Sequence, residues 1–220
     1  MLKLYYSPGA CSLAPHILLE ELGAKYEMEH VSVDEGKTQS PEYLAINPKG
    51  RVPALLNDDD ELLTELPAIC WYLAHETTST LFPKNAMLGA RCLEWLNWLS
   101  GTLHAVAIGQ LTRPMRYVHD KALYPKVAEK GMENALANFQ FIETQLGGHK
   151  WAVNDSYTVV DPCLLVFYRW GNQMRRNMRA HYPKWTQLAE RVLDRAAVQR
   201  AMEQEGITTA TVRGRDRTFK

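Results

Sequence analysis

The 220-residue chain carries 25 basic and 25 acidic side chains, so its formal net charge at pH 7 is zero. Nucleic acids and anionic membranes are bound through positive fields, and this balance argues against both as main partners. The apolar content of 46% supports a large core without disulfide or metal staples, and no segment approaches the ~18 consecutive apolar residues of a membrane span.

The cysteines and the N-terminus predict a cytoplasmic protein. Pro8 and Gly9 interrupt the N-terminal segment before the apolar core of a signal peptide could form. The cysteines lie far apart and form no C-x-x-C pair, which is typical of free thiols in a reducing compartment. They are Cys11, Cys70, Cys92 and Cys163.

Roughly the first 80 residues predict a small sheet with helices, in the order β-α-β-α-β-β-α. The predicted elements are a strand over Leu2–Tyr6, a helix over Cys11–Leu22, a strand over Tyr26–Val33, a short helix from Ser40 to about Asn47, a hairpin of Val52–Leu56 and Glu61–Thr64, and a helix over Pro67–His75. The acidic run at 57–60 would form the solvated tip of the hairpin, a better interpretation than a metal site.

After Pro83 every long pattern is helical, because apolar residues recur at spacings of three and four. Thr158 followed by Asp161 is a side-chain capping signal. The apolar stripes predict helices over Leu88–Val106, Val127–Leu146, from Thr158 onward, over Trp185–Val192 and over Val198–Met202. The fold class is therefore a small α/β unit followed by an all-α unit.

Cys11 has the most suggestive setting of the four cysteines. It follows a strand and a Pro-Gly turn, and it opens the first predicted helix, whose N–H groups and dipole favour a thiolate. The pattern therefore predicts a lowered pKa for this thiol. A thioredoxin-type dithiol would need a second cysteine at position 14, which is Ala14. The alternative is a buried structural cysteine.

Three further residues could serve a binding site. Val52 precedes Pro53 at a strand start, where its backbone could pair with an extended peptide. Glu65 begins a helix, and there a carboxylate could bind an ammonium group beside free N–H groups; the alternative is a simple cap. His104 follows core residue Leu103 and could face a groove or the surface. No histidine spacing is typical of a metal site, and we expect no metal.

The chain resembles the glutathione transferases, and most closely their bacterial beta class, over roughly residues 2 to 207. The resemblance rests on five segments: Lys3–His16 with Cys11, Tyr43–Leu55 with Val52-Pro53, Leu63–Ile69 with Glu65, Trp95–His104, and Tyr157–Asp161. It implies a thioredoxin-like domain at 1–81, an all-helical domain at 87–207 and a tail at 208–220. It also implies a cytoplasmic homodimer that binds glutathione and a hydrophobic electrophile.

The resemblance assigns roles to individual residues. Cys11 would contact the glutathione sulfur, Val52 with Pro53 would pair with the cysteinyl backbone, and Glu65 with the Leu66 N–H would hold the γ-glutamyl end. The remaining implied site residues are Lys37 at the glycyl carboxylate, Asn97, Thr102 and His104 on the helical side, and Ser12 and Tyr5 nearby. The implied catalytic residues are Cys11, Ser12 and His104.

Three departures from the family pattern bear on that assignment. Leu66 stands where relatives often have serine or glycine, Ala105 stands where a lysine is common, and Pro162 with Cys163 follows the capping aspartate. The first two remove a hydroxyl contact and a charge near glutathione, and the third concerns helix stability.

The resulting hypothesis is a transferase that conjugates the glutathione thiolate to small electrophiles. Cys11 leaves thiol-transfer, peroxide or dehalogenase chemistry open, because a cysteine there can form a mixed disulfide with glutathione. The alternative from another class is a glutathione-binding protein of the same fold that has lost turnover.

Overall fold

The computed structural model describes residues 1–76 and 79–208. Its first part contains a four-stranded sheet in the order β2-β1-β3-β4. Strand β1 is parallel to β2 and antiparallel to β3, which pairs with β4 as a hairpin. The elements are β1 (Leu2–Tyr6), α1 (Leu13–Leu22), β2 (Tyr26–His30), α2 (Pro41–Ile46), β3 (Ala54–Leu56), β4 (Leu62–Thr64) and α3 (Leu66–His75), with a 3₁₀ turn at Lys37–Gln39. The predicted order of strands and helices is confirmed.

Two boundaries differ from the sequence prediction. Helix α1 begins at Leu13, so Cys11 lies in the turn before it. Strand β2 ends at His30 rather than Val33, because the chain turns there and the Val33 N–H donates to the Ser7 hydroxyl at 3.2 Å. The turn after β1 and the segment after β2 therefore lie side by side, at the carboxyl ends of two parallel strands.

The second part is helical throughout its regular elements. They are α4 (Ala86–Trp98), a wider π-helical segment (Leu99–Ile108), α5 (Gly109–Thr112), α6 (Tyr124–Leu146), α7 (Val160–Gln173), α8 (Met178–His181), α9 (Pro183–Leu193) and α10 (Ala196–Gln204), with 3₁₀ turns at Pro114–Arg116 and Lys121–Leu123. The long α4 stripe thus continues as a π-helix, a form that occurs preferentially at functional sites.

The predicted capping pair is present at the start of α7. The Asp161 carboxylate accepts hydrogen bonds from the Thr158 N–H at 2.7 Å and from the Ala152 N–H at 2.9 Å. The Thr158 hydroxyl accepts from the Val160 N–H at 3.3 Å. Burial of the carboxyl group raises the pKa of Asp161 to about 6. The pair therefore fixes the entry to the central helix of the second part.

Helix α1 joins the two parts. It packs against α3 on one side and against α7 and α10 on the other, and Leu13, Ile17 and Leu18 are fully buried. One continuous apolar core therefore runs from β1 to α10. The turn that carries Cys11 lies where the sheet meets the helices.

The structure bears only in part on the expected C-terminal tail and on the expected absence of a membrane span. Most of the proposed tail, residues 209–220, lies outside the described residues. Among the described helices, none combines the length and the apolar character needed to cross a bilayer. The hairpin tip at 57–60 is an exposed turn, as the sequence analysis expected.

Candidate active site

A cavity of about 420 Å³ opens between the sheet end and the helices. Its walls come from the Cys11 turn, the Gly50–Pro53 loop, the start of α3, the π-helical segment and α7. The residues that line it are Ala10, Cys11, Val33, Thr38, Asn47, Lys49, Gly50, Arg51, Val52, Pro53, Thr64, Glu65, Leu66, Ser100, His104, Ala105, Gly109, Arg113, Arg116, Tyr117 and Trp170. Six predicted site residues therefore meet in one cavity: Cys11, Val52, Pro53, Glu65, Leu66 and His104.

Cys11 lies at the inner end of this cavity with its thiol almost fully buried. Its Sγ donates to the Val52 carbonyl oxygen at 3.5 Å. Burial raises the pKa of the thiol to about 12, although the Cys11 and Ser12 backbone N–H groups and Arg113 act to lower it. The predicted lowering of this pKa is therefore wrong. The thiol precedes the helix, and the loss of water outweighs the N–H groups that face it.

The helical part holds the turn before Cys11 by the Gly9 peptide. The Gly9 carbonyl accepts from Trp170 Nε1 at 2.9 Å, and the Gly9 N–H donates to Glu205 Oε2 at 2.8 Å. The other oxygen of Glu205 lies 2.9 Å from His16 Nδ1, and both of these side chains are fully buried. Gly9 has a φ of +71°, and a Cβ there would lie 3.1 Å from the Arg169 guanidinium. Glycine therefore fits both the turn and the close approach of α7.

The outer end of the cavity is charged. Glu65 has a φ of +74° at the N-terminus of α3, a sparsely populated conformation for a residue with a side chain. Its carboxylate accepts from Lys49 Nζ at 2.8 Å, and the Thr64 hydroxyl accepts from the same ammonium at 2.9 Å. The cavity thus already contains a carboxylate that binds an ammonium group.

Between these ends lies the backbone of Val52. The Val52–Pro53 bond is cis, as the sequence allowed. Among the hydrogen bonds of residues 1–76 and 79–208, none uses the Val52 N–H. The Ser100 hydroxyl is also buried in the cavity wall and lacks a partner in the same part of the chain. Both groups are available to an extended polar ligand.

His104 separates the first cavity from a second one of about 800 Å³. Its ring packs edge-on against Trp170, with centroids 4.9 Å apart. Burial, together with Arg113, Arg51 and Arg116, lowers the pKa of His104 to about 4. The ring is therefore neutral at physiological pH. The second cavity is lined by apolar side chains (Ile108, Leu111, Met115, Met132, Met174) together with Val33, Asp34, Thr112, Arg113, Trp170, Gln173 and Arg175.

Five predicted site residues do not line either cavity. Lys37, Asn97 and Thr102 are exposed elsewhere on the chain. Tyr5 is buried against Tyr43, at a ring distance of 5.8 Å. The fully buried Ser12 hydroxyl is bonded to the Ser7 backbone at 3.2 Å. The structure does not bring these five residues into the two cavities, and their roles in binding or catalysis stay predictions.

The sequence analysis missed four kinds of site residue. Lys49 lies in the segment Tyr43–Leu55, which the resemblance singled out for Val52-Pro53, but the positive charge of Lys49 was not considered. Ser100 lies within the predicted helix over Leu88–Val106, four residues before His104, and nothing in the apolar pattern marks it. Trp170 and the arginines Arg113 and Arg116 lie far along the chain from the motifs, and no local pattern marks them. No group of three or more potential metal ligands occurs within the described part of the chain.

Comparison with known proteins identifies the family. Residues 1–75 match the model of the glutathione S-transferase N-terminal domain, and residues 112–196 match that of the C-terminal domain. The chain is 34% identical to glutathione S-transferase GstA of Escherichia coli O157:H7 over 211 residues, covering 94% of this chain and 100% of the relative.

Solved structures give the same result at the level of the fold. A glutathione transferase homologue from Sulfitobacter, solved with bound glutathione, superposes with a TM-score of 0.88 at 31% identity, covering 94% of this chain and 99% of that one. The beta-class glutathione S-transferase of Sphingomonas chungbukensis superposes with a TM-score of 0.82 at 29% identity, covering 94% and 100%.

Proposed function

The chain belongs to the glutathione S-transferase family, and we propose that it conjugates the thiolate of glutathione to small electrophilic molecules. The observation that carries this proposal is the sequence of groups along the smaller cavity. Glu65, whose carboxylate binds an ammonium group, lies at one end, and the unpaired Val52 N–H follows. Cys11 and neutral His104 lie at the other end, where the larger cavity begins. The likeness to bacterial transferases makes the inactive binding protein the weaker alternative.

Glutathione would lie extended along the smaller cavity. Its ammonium group binds the Glu65 carboxylate, in the way the Lys49 ammonium does at 2.8 Å, and its γ-glutamyl carboxylate accepts from the Leu66 N–H at the start of α3. The cysteinyl backbone pairs with Val52 as an added strand. The Ser100 hydroxyl, which lacks a protein partner among the described residues, lies on the facing wall.

The sulfur of glutathione would lie beside Cys11. Because burial raises the pKa of the Cys11 thiol to about 12, this thiol stays protonated at neutral pH. Its S–H, which donates to the Val52 carbonyl at 3.5 Å, would turn to donate to a bound thiolate instead. Three groups favour a negative charge at the Cys11 sulfur: the N–H groups of Cys11 and Ser12, and Arg113. They would also favour the thiolate of a glutathione sulfur bound beside Cys11. Stabilising a thiolate by about 2 pKa units corresponds to about 2.7 kcal/mol.

The reaction then needs no protein nucleophile. The thiolate attacks the electrophilic carbon in the larger cavity, forming a carbon–sulfur bond while the leaving group departs with its electron pair. His104 is neutral and packed against Trp170, so it orients groups at the junction of the cavities and carries no charge there. The protonated state of Cys11 favours conjugation over disulfide exchange, because exchange requires the cysteine thiolate.

A homodimer is part of the proposal. Leu93 on α4 is 38% exposed, and Asn97 lies exposed one turn further along the same face. Trp71 of α3 adds an exposed aromatic surface, with 44% of its area accessible. If two copies pair through this face, Asn97 reaches the site of the partner rather than its own. Sedimentation of an active monomer of 25.1 kDa would contradict the dimer.

Conjugation of glutathione to 1-chloro-2,4-dinitrobenzene tests the proposal. We expect the purified protein to catalyse the reaction, and Glu65→Ala to weaken glutathione binding by about 2–5 kcal/mol, since the ligand ammonium loses its partner. Glu61→Ala, a nearby exposed carboxylate outside the cavity, serves as the matched control. Retention on immobilised glutathione without any turnover would favour the binding protein instead.

A further inference from the structure

Three arginine side chains meet where the two cavities join. Arg51, Arg113 and Arg116 all line the smaller cavity, and Arg113 also lines the larger one. The three arginines lower the pKa of His104, and Arg51 and Arg113 also lower that of Arg116, so their charges lie close together. We call these three residues the arginine cluster.

The arginine cluster has no carboxylate partner among the described residues. Throughout residues 1–76 and 79–208, no ion pair within 4.0 Å involves any of its three guanidinium groups. The carboxylate of Glu65 in the same cavity is paired with Lys49. Asp34 lines the larger cavity together with Arg113 and Arg175, but it forms no ion pair with Arg113. Three neighbouring positive charges repel one another, and an anion placed among them removes that repulsion.

The turn that carries Arg113 and Arg116 is held in place. The Arg116 N–H donates to the Arg113 carbonyl at 3.0 Å, and the Tyr117 N–H donates to the Pro114 carbonyl at 2.9 Å. The Tyr117 hydroxyl donates to the Ala105 carbonyl of the π-helical segment. Gly109 makes this approach possible, because a Cβ at that position would lie 2.6 Å from the Tyr117 oxygen. The backbone of the arginine turn is therefore preorganised before any ligand binds.

We propose that the arginine cluster binds a carboxylate group on the acceptor molecule, so that the enzyme favours anionic electrophiles. This inference rests on the proposed conjugation. Arg113 is close enough to Cys11 to lower the pKa of its thiol against the effect of burial, and Arg116 lines the same cavity. A planar guanidinium binds a carboxylate through two parallel hydrogen bonds, which fixes the orientation of the acceptor as well as its affinity.

The glycyl carboxylate of glutathione offers the same chemistry, and the test separates the two sources. Initial rates are measured with 4-chloro-3,5-dinitrobenzoate and with its neutral amide, 4-chloro-3,5-dinitrobenzamide. Each value of kcat/KM is divided by the uncatalysed rate with glutathione, so that differences in intrinsic reactivity cancel. The quantity compared is the ratio of the benzoate value to the benzamide value, at low and at high potassium chloride.

We expect this ratio to exceed one in the wild-type enzyme and to fall as salt screens the charges. Arg116→Gln lowers it by about tenfold or more, the size expected for one charge-assisted hydrogen bond. Lys25→Gln, an exposed residue that lines neither cavity, makes the same change in net charge and leaves the ratio as in the wild type.

Two results would overturn the inference. If Arg116→Gln lowers the rates with both acceptors by the same factor and raises the KM for glutathione, the cluster binds the glycyl carboxylate. If the ratio of the benzoate to the benzamide value is one in the wild type and Arg116→Gln does not change it, the cluster does not select the acceptor. If neither acceptor is conjugated by the wild type while a disulfide is reduced, the proposed function itself fails.

Discussion

Glu205 should be essential for the stability of the turn that carries Cys11. It follows α10, yet its two oxygens bind two groups of the first part of the chain, the Gly9 N–H at 2.8 Å and His16 Nδ1 at 2.9 Å. The Glu205→Ala substitution removes both acceptors at once. The Gly9 carbonyl would still accept from Trp170 Nε1 and Arg169 Nη1, so the Gly9 peptide loses its N–H partner but keeps its two donors in α7.

The size of the effect follows from burial. The His16 and Glu205 side chains are fully buried, so water does not replace the lost partner without rearrangement. Each buried polar group left unpaired costs about 1–3 kcal/mol, and Glu205→Ala leaves two without their partner, the Gly9 N–H and the His16 ring. We therefore expect the free energy of unfolding to fall by about 3–5 kcal/mol. Glu205→Gln should lose less, because its amide oxygen still accepts from the Gly9 N–H.

Urea unfolding at a fixed protomer concentration measures this change. Glu203→Ala is the matched control, since it removes the same charge from an exposed site on the same helix, and it should change stability by less than about 0.5 kcal/mol. The reasoning is refuted if Glu205→Ala costs no more than Glu203→Ala, or if its kcat/KM for conjugation stays at the wild-type value while stability falls.

Three further predictions follow from the same structure. Asp161→Ala leaves two buried N–H groups unpaired and should cost about 2–4 kcal/mol in urea unfolding, whereas exposed Asp155→Ala should cost less than about 0.5 kcal/mol; equal losses would contradict the capping role. The NMR signals of the His104 ring, assigned through His104→Asn, should not titrate between pH 8 and 5.5, because its pKa is lowered to about 4. In the unfolded chain the same ring binds a proton near pH 6.5. The contribution of His104 to the free energy of unfolding should therefore fall as the pH drops from about 6.5 towards 4. Iodoacetamide at pH 8 should modify Cys11 far more slowly than a free cysteine, and rapid alkylation would show an activated thiol. Cys11→Ala should keep aryl-halide conjugation at a reduced rate, because the thiolate loses the Cys11 hydrogen bond but keeps Arg113 and the N–H groups, and it should lose any disulfide reductase activity.

Local patterns were sufficient to predict most regular elements. The short apolar run around Leu4 and the three- and four-residue spacing in α6 depend only on neighbouring residues, and both predict the element that the structure contains. Thr158 and Asp161 are close in sequence, so their hydrogen bonds were also predictable. The exact ends of the helices and strands were harder to predict from the sequence. Helix α1 starts two residues later than expected, because the Ser12 hydroxyl bonds back to Ser7 instead of capping the helix.

The candidate site was only partly predictable, because its chemistry depends on long-range packing. Cys11 was found from its place after a strand, but its pKa depends on burial beneath residues distant in sequence. The Gly9 peptide is held by Trp170 and Glu205, which are 161 and 196 residues away in sequence. Arg116 lies in an irregular turn whose orientation depends on the Tyr117 contact with the π-helical segment. No periodicity or motif encodes these contacts.

The ionisation of enzyme-bound glutathione tests the central claim most directly. Thiolate absorbance near 240 nm is followed from pH 5 to 9 in the complex of wild-type protein with glutathione, with S-methylglutathione as the blank. Cys11 adds no signal in this range, because its own pKa is about 12. We expect the bound thiol to ionise about 2 units below the ordinary cysteine value of about 8.5. A bound thiol that titrates at the value of free glutathione would contradict the proposal that this cavity stabilises the attacking thiolate.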